Sequence, residues 1–367
     1  MSSANAAASP TAAKVRKFPC EGCGADIRWD PSASALKCPY CGTVKVITPE
    51  TQEGVRERPV EAGLRAPRDL GWGAERKVIA CKRCGAHTTL DPHVAASACV
   101  FCGTAAVVEA PPNQNIVRPE GLLPFKVNRD GAVASFQNWV SGLWFRPSNL
   151  KSTSRVTNMR GAYIPFWTFD SATSSHWTAE AGYHYYETEW VTENGQRVSR
   201  QVQHTRWEYA AGWLDMFFDD VPVPASHGIP PALAKEIEPF PTDGLVVYDP
   251  RYLSGFLAEE NAIDLPQALE AAKDRMRGEV RSACVREIPG DTYRNLDVDT
   301  SFSALAYKNA LLPIWVCAYE YGNKPYRFLV NGVTGKASGT APYSWLKITL
   351  LVMFIIVLVV IFTSLKK

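Results

Sequence analysis

Residues 175–209 read SHWTAEAGYHYYETEWVTENGQRVSRQVQHTRWEY. Two runs rich in aromatic and β-branched residues, 175–192 and 196–209, flank Glu193-Asn194-Gly195. Asn-Gly between strand-like runs is a strong hairpin signal, because both residues tolerate the positive φ that a tight turn needs. A two-residue turn at Asn194-Gly195 sets Glu189 opposite Arg200 and Tyr185 opposite His204. In that register His184 and His204 point to opposite faces, since successive side chains alternate along a strand. A longer loop reverses the parity. Both are read as ordinary sheet residues, in preference to a metal or acid–base pair.

Working outward, 163–169 is an aromatic strand whose Pro165 predicts an edge or a strand entry. Residues 217–225 form another aromatic strand that leads into a turn, and Asp219-Asp220 is read as that turn in preference to a metal site. Residues 122–127, 245–248, 300–310, 314–321 and 326–330 also read as strands, with Gly322-Asn323 and Asn331-Gly332 as turns. Three helices are predicted: 131–145, capped by Asp130 and ended by Pro147; 230–238; and one after Asp264 and Pro266, to about Glu287. Cys284 and Cys317 stand in apolar settings as buried spacers. Residues 113–340 are thus expected to be an α+β domain with a mainly antiparallel sheet.

Eight of the ten cysteines lie before residue 103, all in Cys-x-x-Cys pairs. Cys20 and Cys23 are followed, after fourteen residues, by Cys38 and Cys41, and the pattern repeats with Cys81, Cys84, Cys99 and Cys102. The repeat includes Gly24, Gly42, Gly85 and Gly103 after each pair. Such a knuckle points two thiolates at one ion, and its Gly closes the turn in the left-handed conformation. Two four-cysteine zinc sites follow, structural because no position stays open; a rubredoxin-like iron site uses the same ligands. The ribbons are placed at 18–47 and 77–110, each stabilised by its metal because each is too small for its own core. His87 and His93 are read as surface residues of the second ribbon. Residues 1–17 are expected to be a disordered leader, and 48–76 and 111–115 to be linkers.

Near the C-terminus, Trp345, Leu346 and Lys347 precede an apolar run from Ile348 to Phe362. As a helix, 344–365 spans about 30 Å, the thickness of a bilayer core. Lys347 can snorkel, and Tyr343 and Trp345 suit the interface. The expected layout is a single-pass, tail-anchored protein of the cell (inner) membrane, with the lipid bilayer as one partner and the rest on the cytoplasmic face.

The chain of 367 residues has a formal net charge of +2. Residues 1–110 hold 14 Lys/Arg against 11 Asp/Glu, and two Zn²⁺ with eight thiolates bring that +3 to about −1. Phosphate binding wants a clear basic surplus, so a nucleic-acid role is the runner-up. No catalytic motif is found. Gly332-Val-Thr-Gly335-Lys336 resembles a phosphate loop only in its Gly-Lys, and there is no nucleophile elbow and no dinucleotide fingerprint.

Three segments carry a family resemblance: Gly161–Asp170 with Ser174-Ser175-His176; Phe217–Ala225; and Asn331–Lys336 with Pro342–Trp345. With the ribbons, the chain resembles the bacterial tail-anchored zinc-ribbon family that includes YdjG of bacilli. Many of its members carry the label "primosomal protein N′ (replication factor Y), superfamily II helicase"; this sequence lacks the motor motifs. The resemblance implies a membrane anchor for a flotillin-like (SPFH) partner and, through it, a phage-shock/ESCRT-III-like membrane-remodelling protein. Among individual residues it supports the eight cysteines. The expected function is a non-enzymatic, membrane-anchored zinc-ribbon adaptor. The competing readings are a membrane-tethered nucleic-acid-binding accessory and an enzyme with an unrecognised site in the α+β domain.

Overall fold

The computed structural model of the protein describes residues 18–48, 54–65, 77–90, 99–104, 107–110, 117–147, 159–193, 196–321 and 324–365. The predicted leader, His93, and the turn residues Asn194-Gly195 and Gly322-Asn323 lie outside these. Strands β1 (Arg28–Asp30), β2 (Ala35–Lys37) and β3 (Val44–Lys45) form a small antiparallel sheet. There follow β4 (Arg58–Pro59), α1 (Val60–Arg65), β5 (Lys77–Cys81), β6 (His87–Leu90), β7 (Val107–Ala110), β8 (Gly121–Leu122) and α2 (Arg129–Ser141). The body continues with β9 (Arg160–Glu193), β10 (Gln196–Pro224), α3 (Pro231–Glu236), β11 (Val246–Val247), β12 (Leu257–Glu259) and α4 (Leu265–Glu287). It ends with β13 (Thr292–Tyr321), β14 (Lys324–Asn331), β15 (Ala337–Gly339) and α5 (Trp345–Leu365). The mixed α+β architecture is mostly sheet, with twelve strands, β4 to β15, joined in one hydrogen-bonded system.

Three strands dominate that sheet. β9 runs for 34 residues, β10 for 29 and β13 for 30, where an ordinary strand has about 5–6. β9 lies between the other two and is antiparallel to both. The hairpin register is the predicted one, with Glu189 opposite Arg200 and Tyr185 opposite His204. The sequence broke β10 and β13 into shorter strands, whereas each is continuous. Bulges at Phe218/Val221 on β10, and at Arg294/Asp297 and Ser303/Ala306 on β13, interrupt the pairing without ending either strand. Asp219-Asp220 is therefore a bulge and not a turn, with Asp220 at φ 50°.

Pro165 corrects a second expectation, for it sits well inside β9 and not at an edge. Its carbonyl accepts from Ala225 on the β10 side, just beyond the last paired residue, Pro224. In an antiparallel strand a residue's N–H and C=O point the same way, so the missing N–H faces a place where the partner strand has already ended.

Alternation along β9 sorts the core. Odd-numbered Trp167, Phe169, Trp177 and Ala179 pack with Leu269, Ala272, Met276 and Val280 of α4. Even-numbered Ala162, Ile164 and Phe166 pack on the opposite face with Leu233, Ala234, Ile237 and Phe240. Helix α4 begins as predicted, Asp264 accepting from the Gln267 N–H at 3.1 Å. Arg275 on α4 donates to both oxygens of Glu238 and to the Pro222 carbonyl. The cap of α2 is Asn128, not Asp130: its Oδ1 accepts from the Gly131 N–H at 2.8 Å. That helix ends at Ser141, short of the predicted 145, and buries Ala132, Phe136 and Val140. Cys284 and Cys317 are fully buried, as expected.

The ribbons are not tethered modules. In the first, Trp29 is buried, its indole N–H donates to the Phe125 carbonyl at 3.0 Å, and its ring lies 4.7 Å from Tyr252. Ile27, Leu36 and Cys38 share one cluster with Tyr163, Trp315 and Phe328. In the second, Phe101 and Cys99 pack with Ile164 and Phe166, while β6 pairs with β12. The two ribbons thus grip the base of the long sheet from opposite faces. Nor is 48–76 a free linker throughout: Arg58 and Pro59 pair with Tyr307 and Ala306 of β13, and Val60 is buried. The composition looked solvated because the apolar partner surface lies some 250 residues away in sequence.

Helix α5 is exposed on all sides. Its base is tied to the body by the Ser344 N–H on the Phe145 carbonyl at 2.8 Å and by Lys347 Nζ on the Trp144 carbonyl at 3.2 Å. The docking of the first ribbon is open to a direct test. Trp29→Ala removes a buried indole, a loss of about 3–5 kcal/mol for such a side chain. The expected outcome is a lowered urea midpoint for the detergent-solubilised protein and new protease cleavage within 18–48. An unchanged midpoint would show that the ribbon stands by itself.

Candidate metal centres

Each of the four Cys-x-x-Cys-Gly segments folds into the same knuckle. The first cysteine's carbonyl accepts from the Gly N–H, at 2.8 Å for Gly24, 3.0 Å for Gly42, 2.9 Å for Gly85 and 2.9 Å for Gly103. Its own N–H donates to the residue after the Gly, as Cys20 does to Ala25 and Cys99 to Thr104. The glycines take φ of 73°, 77°, 76° and 72°, where a Cβ would be strained. The sequence repeat is therefore a repeat of backbone geometry.

These turns bring the thiols together in two groups, Cys20, Cys23, Cys38, Cys41 and Cys81, Cys84, Cys99, Cys102, each with its sulfurs within 4.8 Å of one another. Sγ–Sγ distances are 3.4 Å for Cys20–Cys41, 3.5 Å for Cys23–Cys38, 3.5 Å for Cys81–Cys102 and 3.7 Å for Cys84–Cys99. A tetrahedral ion with bonds of about 2.3 Å needs edges of about 3.8 Å, so both groups could hold a metal ion and are compatible with zinc. The thiols already share protons unevenly. The Thr43 hydroxyl, 3.1 Å from Cys41, is the main cause that lowers that thiol to about 6. The bond from Cys84 lowers Cys99 to about 5, and Cys84 is raised in return. Metal entry would release the protons that the thiols carry.

The two groups differ in setting. Cys23 and Cys41 are exposed, whereas Cys81, Cys99 and Cys102 are buried. The second group is walled by Phe101 and by Gly228, whose close approach to that ring leaves no room for a Cβ. Buried Glu259 on β12 faces Thr88 of β6, accepts from Ser226 Oγ at 2.6 Å, and is pushed up to about 8, mainly by burial. His87 lies on β6 outside the thiol group, half-buried.

The remaining candidates stay apart. His184 Nδ1 lies 3.0 Å from Thr205 Oγ1, while His204, on the other face, stacks on Tyr185 and reaches Glu189 at 3.6 Å. Lys336 donates to the Glu238 carbonyl, and buried Asn331 anchors its loop, accepting from Val333 and Thr334 and donating to Ile237 and Pro239.

One surface was not foreseen. The register puts Tyr186, Trp190, Tyr209, Trp213 and Phe217 on a single face of the β9–β10 hairpin, all 63–76% exposed. The aromatic strands were legible; that one face would stay bare was not.

These features define a class: a mainly sheet α+β protein with two four-cysteine groups able to take up metal, and one C-terminal helix long and apolar enough to cross a membrane. The chain is similar to a Bacillus subtilis (strain 168) protein named "Uncharacterized protein YdjG", 27% identical over 333 residues, which covers 90% of this chain and 91% of that one. No family model matches the chain, and no solved structure matches it.

Purified protein is expected to hold about two zinc ions per chain. Under a chromogenic chelator the release should be biphasic, the exposed first group emptying before the buried second. Cys99→Ser should abolish the slow phase and lower zinc to about one. Iron in excess of zinc, or a single fast phase in the parent protein, would contradict the assignment.

Proposed function

We propose that the protein is a membrane-anchored zinc-ribbon adaptor that works by binding, not by catalysis, and brings a cytosolic protein to the bilayer. The observation that carries this reading is the bare aromatic face of the long hairpin. Scattered exposed apolar residues are ordinary, but five large rings on one sheet face form a patch of the kind that proteins bury against partners. Tyr and Trp are also the residues in which binding energy concentrates. Residues 183–208 hold three arginines and four glutamates, which favours a protein over a polyanionic nucleic acid.

Helix α5 supplies the anchor, with Trp345, Tyr343 and Trp144 exposed at its base as interfacial aromatics. Eight thiols at metal-binding spacing suit a reducing compartment, which supports a body on the cytoplasmic side of the cell membrane. The resemblance drawn from the sequence nominates an SPFH-type protein as the partner, with a phage-shock-type protein recruited through it. Because the ribbons share the core, they serve as scaffold, and recruitment passes to the hairpin.

The test images a fluorescent SPFH-type protein in cells that carry the full chain, a chain without 345–365, or the pair Trp190→Ser and Trp213→Ser. Loss of α5 should disperse both proteins. The double substitution should leave the adaptor at the membrane and disperse the partner, since two hot-spot residues are worth at least about 2 kcal/mol, or roughly thirtyfold in Kd. Recruitment equal to that by the full chain would overturn the assignment of this face.

A further inference from the structure

A second kind of site lies at the base of the same hairpin. Asp170 of β9 is only 4% exposed. One of its oxygens accepts from the Asp220 N–H at 2.6 Å; the other, Oδ2, is buried and has no partner among the described residues. A buried carboxylate oxygen without a donor or cation is costly, and native proteins rarely leave one. Carboxylate oxygens of Glu57 and Asp219 lie within 4.8 Å of that of Asp170 and of each other.

We propose that Glu57, Asp170 and Asp219 bind one divalent cation of the hard, oxygen-preferring class, such as Mn²⁺, Mg²⁺ or Ca²⁺. Such ions sit about 2.1–2.4 Å from their ligands, so ligand oxygens are about 3 Å apart in cis and up to about 4.8 Å apart in trans. The separations here do not exceed that upper limit.

Three structural features assemble the group. The pairing of β4 with β13 sets Glu57 beside Lys308, the β10 bulge projects Asp219 and Asp220, and β9 supplies Asp170 from below. Lys308 Nζ bonds Asp220 at 2.7 Å and Glu57 at 3.2 Å. One ammonium thus pairs with two carboxylates, Asp220 and Glu57, and is also the cation that attracts buried Asp170. Thr168, fully buried two residues before Asp170 on the same sheet face and opposite Lys308, also has an unpartnered hydroxyl. An open cleft of about 450 Å³, lined by Glu57, Asp219, Asp220, Asp243 and Lys308 among others, gives access and room for the waters that hard cations keep. The ion would pin the segment around Glu57 to the hairpin. Oxygen donors also separate this site from the thiolate pair, which favours softer metals.

The probe is Mn²⁺, titrated into zinc-loaded, detergent-solubilised full-length protein and followed by electron paramagnetic resonance. Mn²⁺ is the weakest competitor for zinc ligands. The expected result is one saturable Mn²⁺ per chain, displaced by Ca²⁺ or Mg²⁺. Asp170→Asn and Asp219→Asn should each weaken binding at least tenfold, while Asp274→Asn, at an exposed position of α4, leaves it unchanged. Zinc content reports on folding; should Asp170→Asn lose zinc, the exposed Asp219→Asn carries the comparison alone. No saturable Mn²⁺ in the parent protein, or equal affinity in Asp219→Asn, overturns the proposal.

Discussion

The pairing of β9 with β10 on one side and β13 on the other is the constraint from which the rest of the molecule follows. A strand of 34 residues cannot shift by one position without turning every side chain to the wrong face. Its register is therefore held by all its apolar residues at once. Trp167, Phe169 and Trp177 are committed to α4, and Ile164 and Phe166 to the other layer. Bulges allow the strands to remain paired through Asp219-Asp220 and through the irregular part of β13, each bulge shifting the register.

This arrangement explains why small metal ribbons can sit in so large a protein without independent cores. Each offers a few apolar side chains, Trp29 and Leu36 from one and Phe101 from the other, to a sheet that already has two faces to cover. Two constraints then act together: the backbone hydrogen bonds of the Cys-x-x-Cys-Gly turns fix the knuckles, and the sheet fixes the ribbons. The more deeply packed second group belongs to the body as much as any strand does.

Beyond the base, the two faces of the hairpin diverge. One is covered by α4 as far as Ala179, and both are exposed nearer the turn. The other has no covering element among the described residues and presents aromatic rings interleaved with polar side chains. In the function proposed above, a body anchored by α5 would use this bare, near-neutral aromatic face to hold a protein at the membrane. A cation held by the acidic group at the base, as proposed above, would couple the same hairpin to the segment around Glu57.

The sequence by itself determined whatever is local. The four knuckles were legible because two thiols and a left-handed Gly are specified within five residues. The hairpin register was legible because Asn-Gly fixes parity; α4 was legible from its cap and apolar periodicity, and α5 from the length of its unbroken apolar run. The tertiary structure decided whatever depends on distant partners. Pro165 is tolerated inside a strand only because β10 ends beside it; Arg58 to Val60 are structured only because β13 is there to receive them. Glu57, Asp170 and Asp219 lie more than a hundred residues apart in part, and no spacing rule joins them. The sequence shows equally aromatic strands on both faces, and only the placement of α4 decides which rings are core and which remain free.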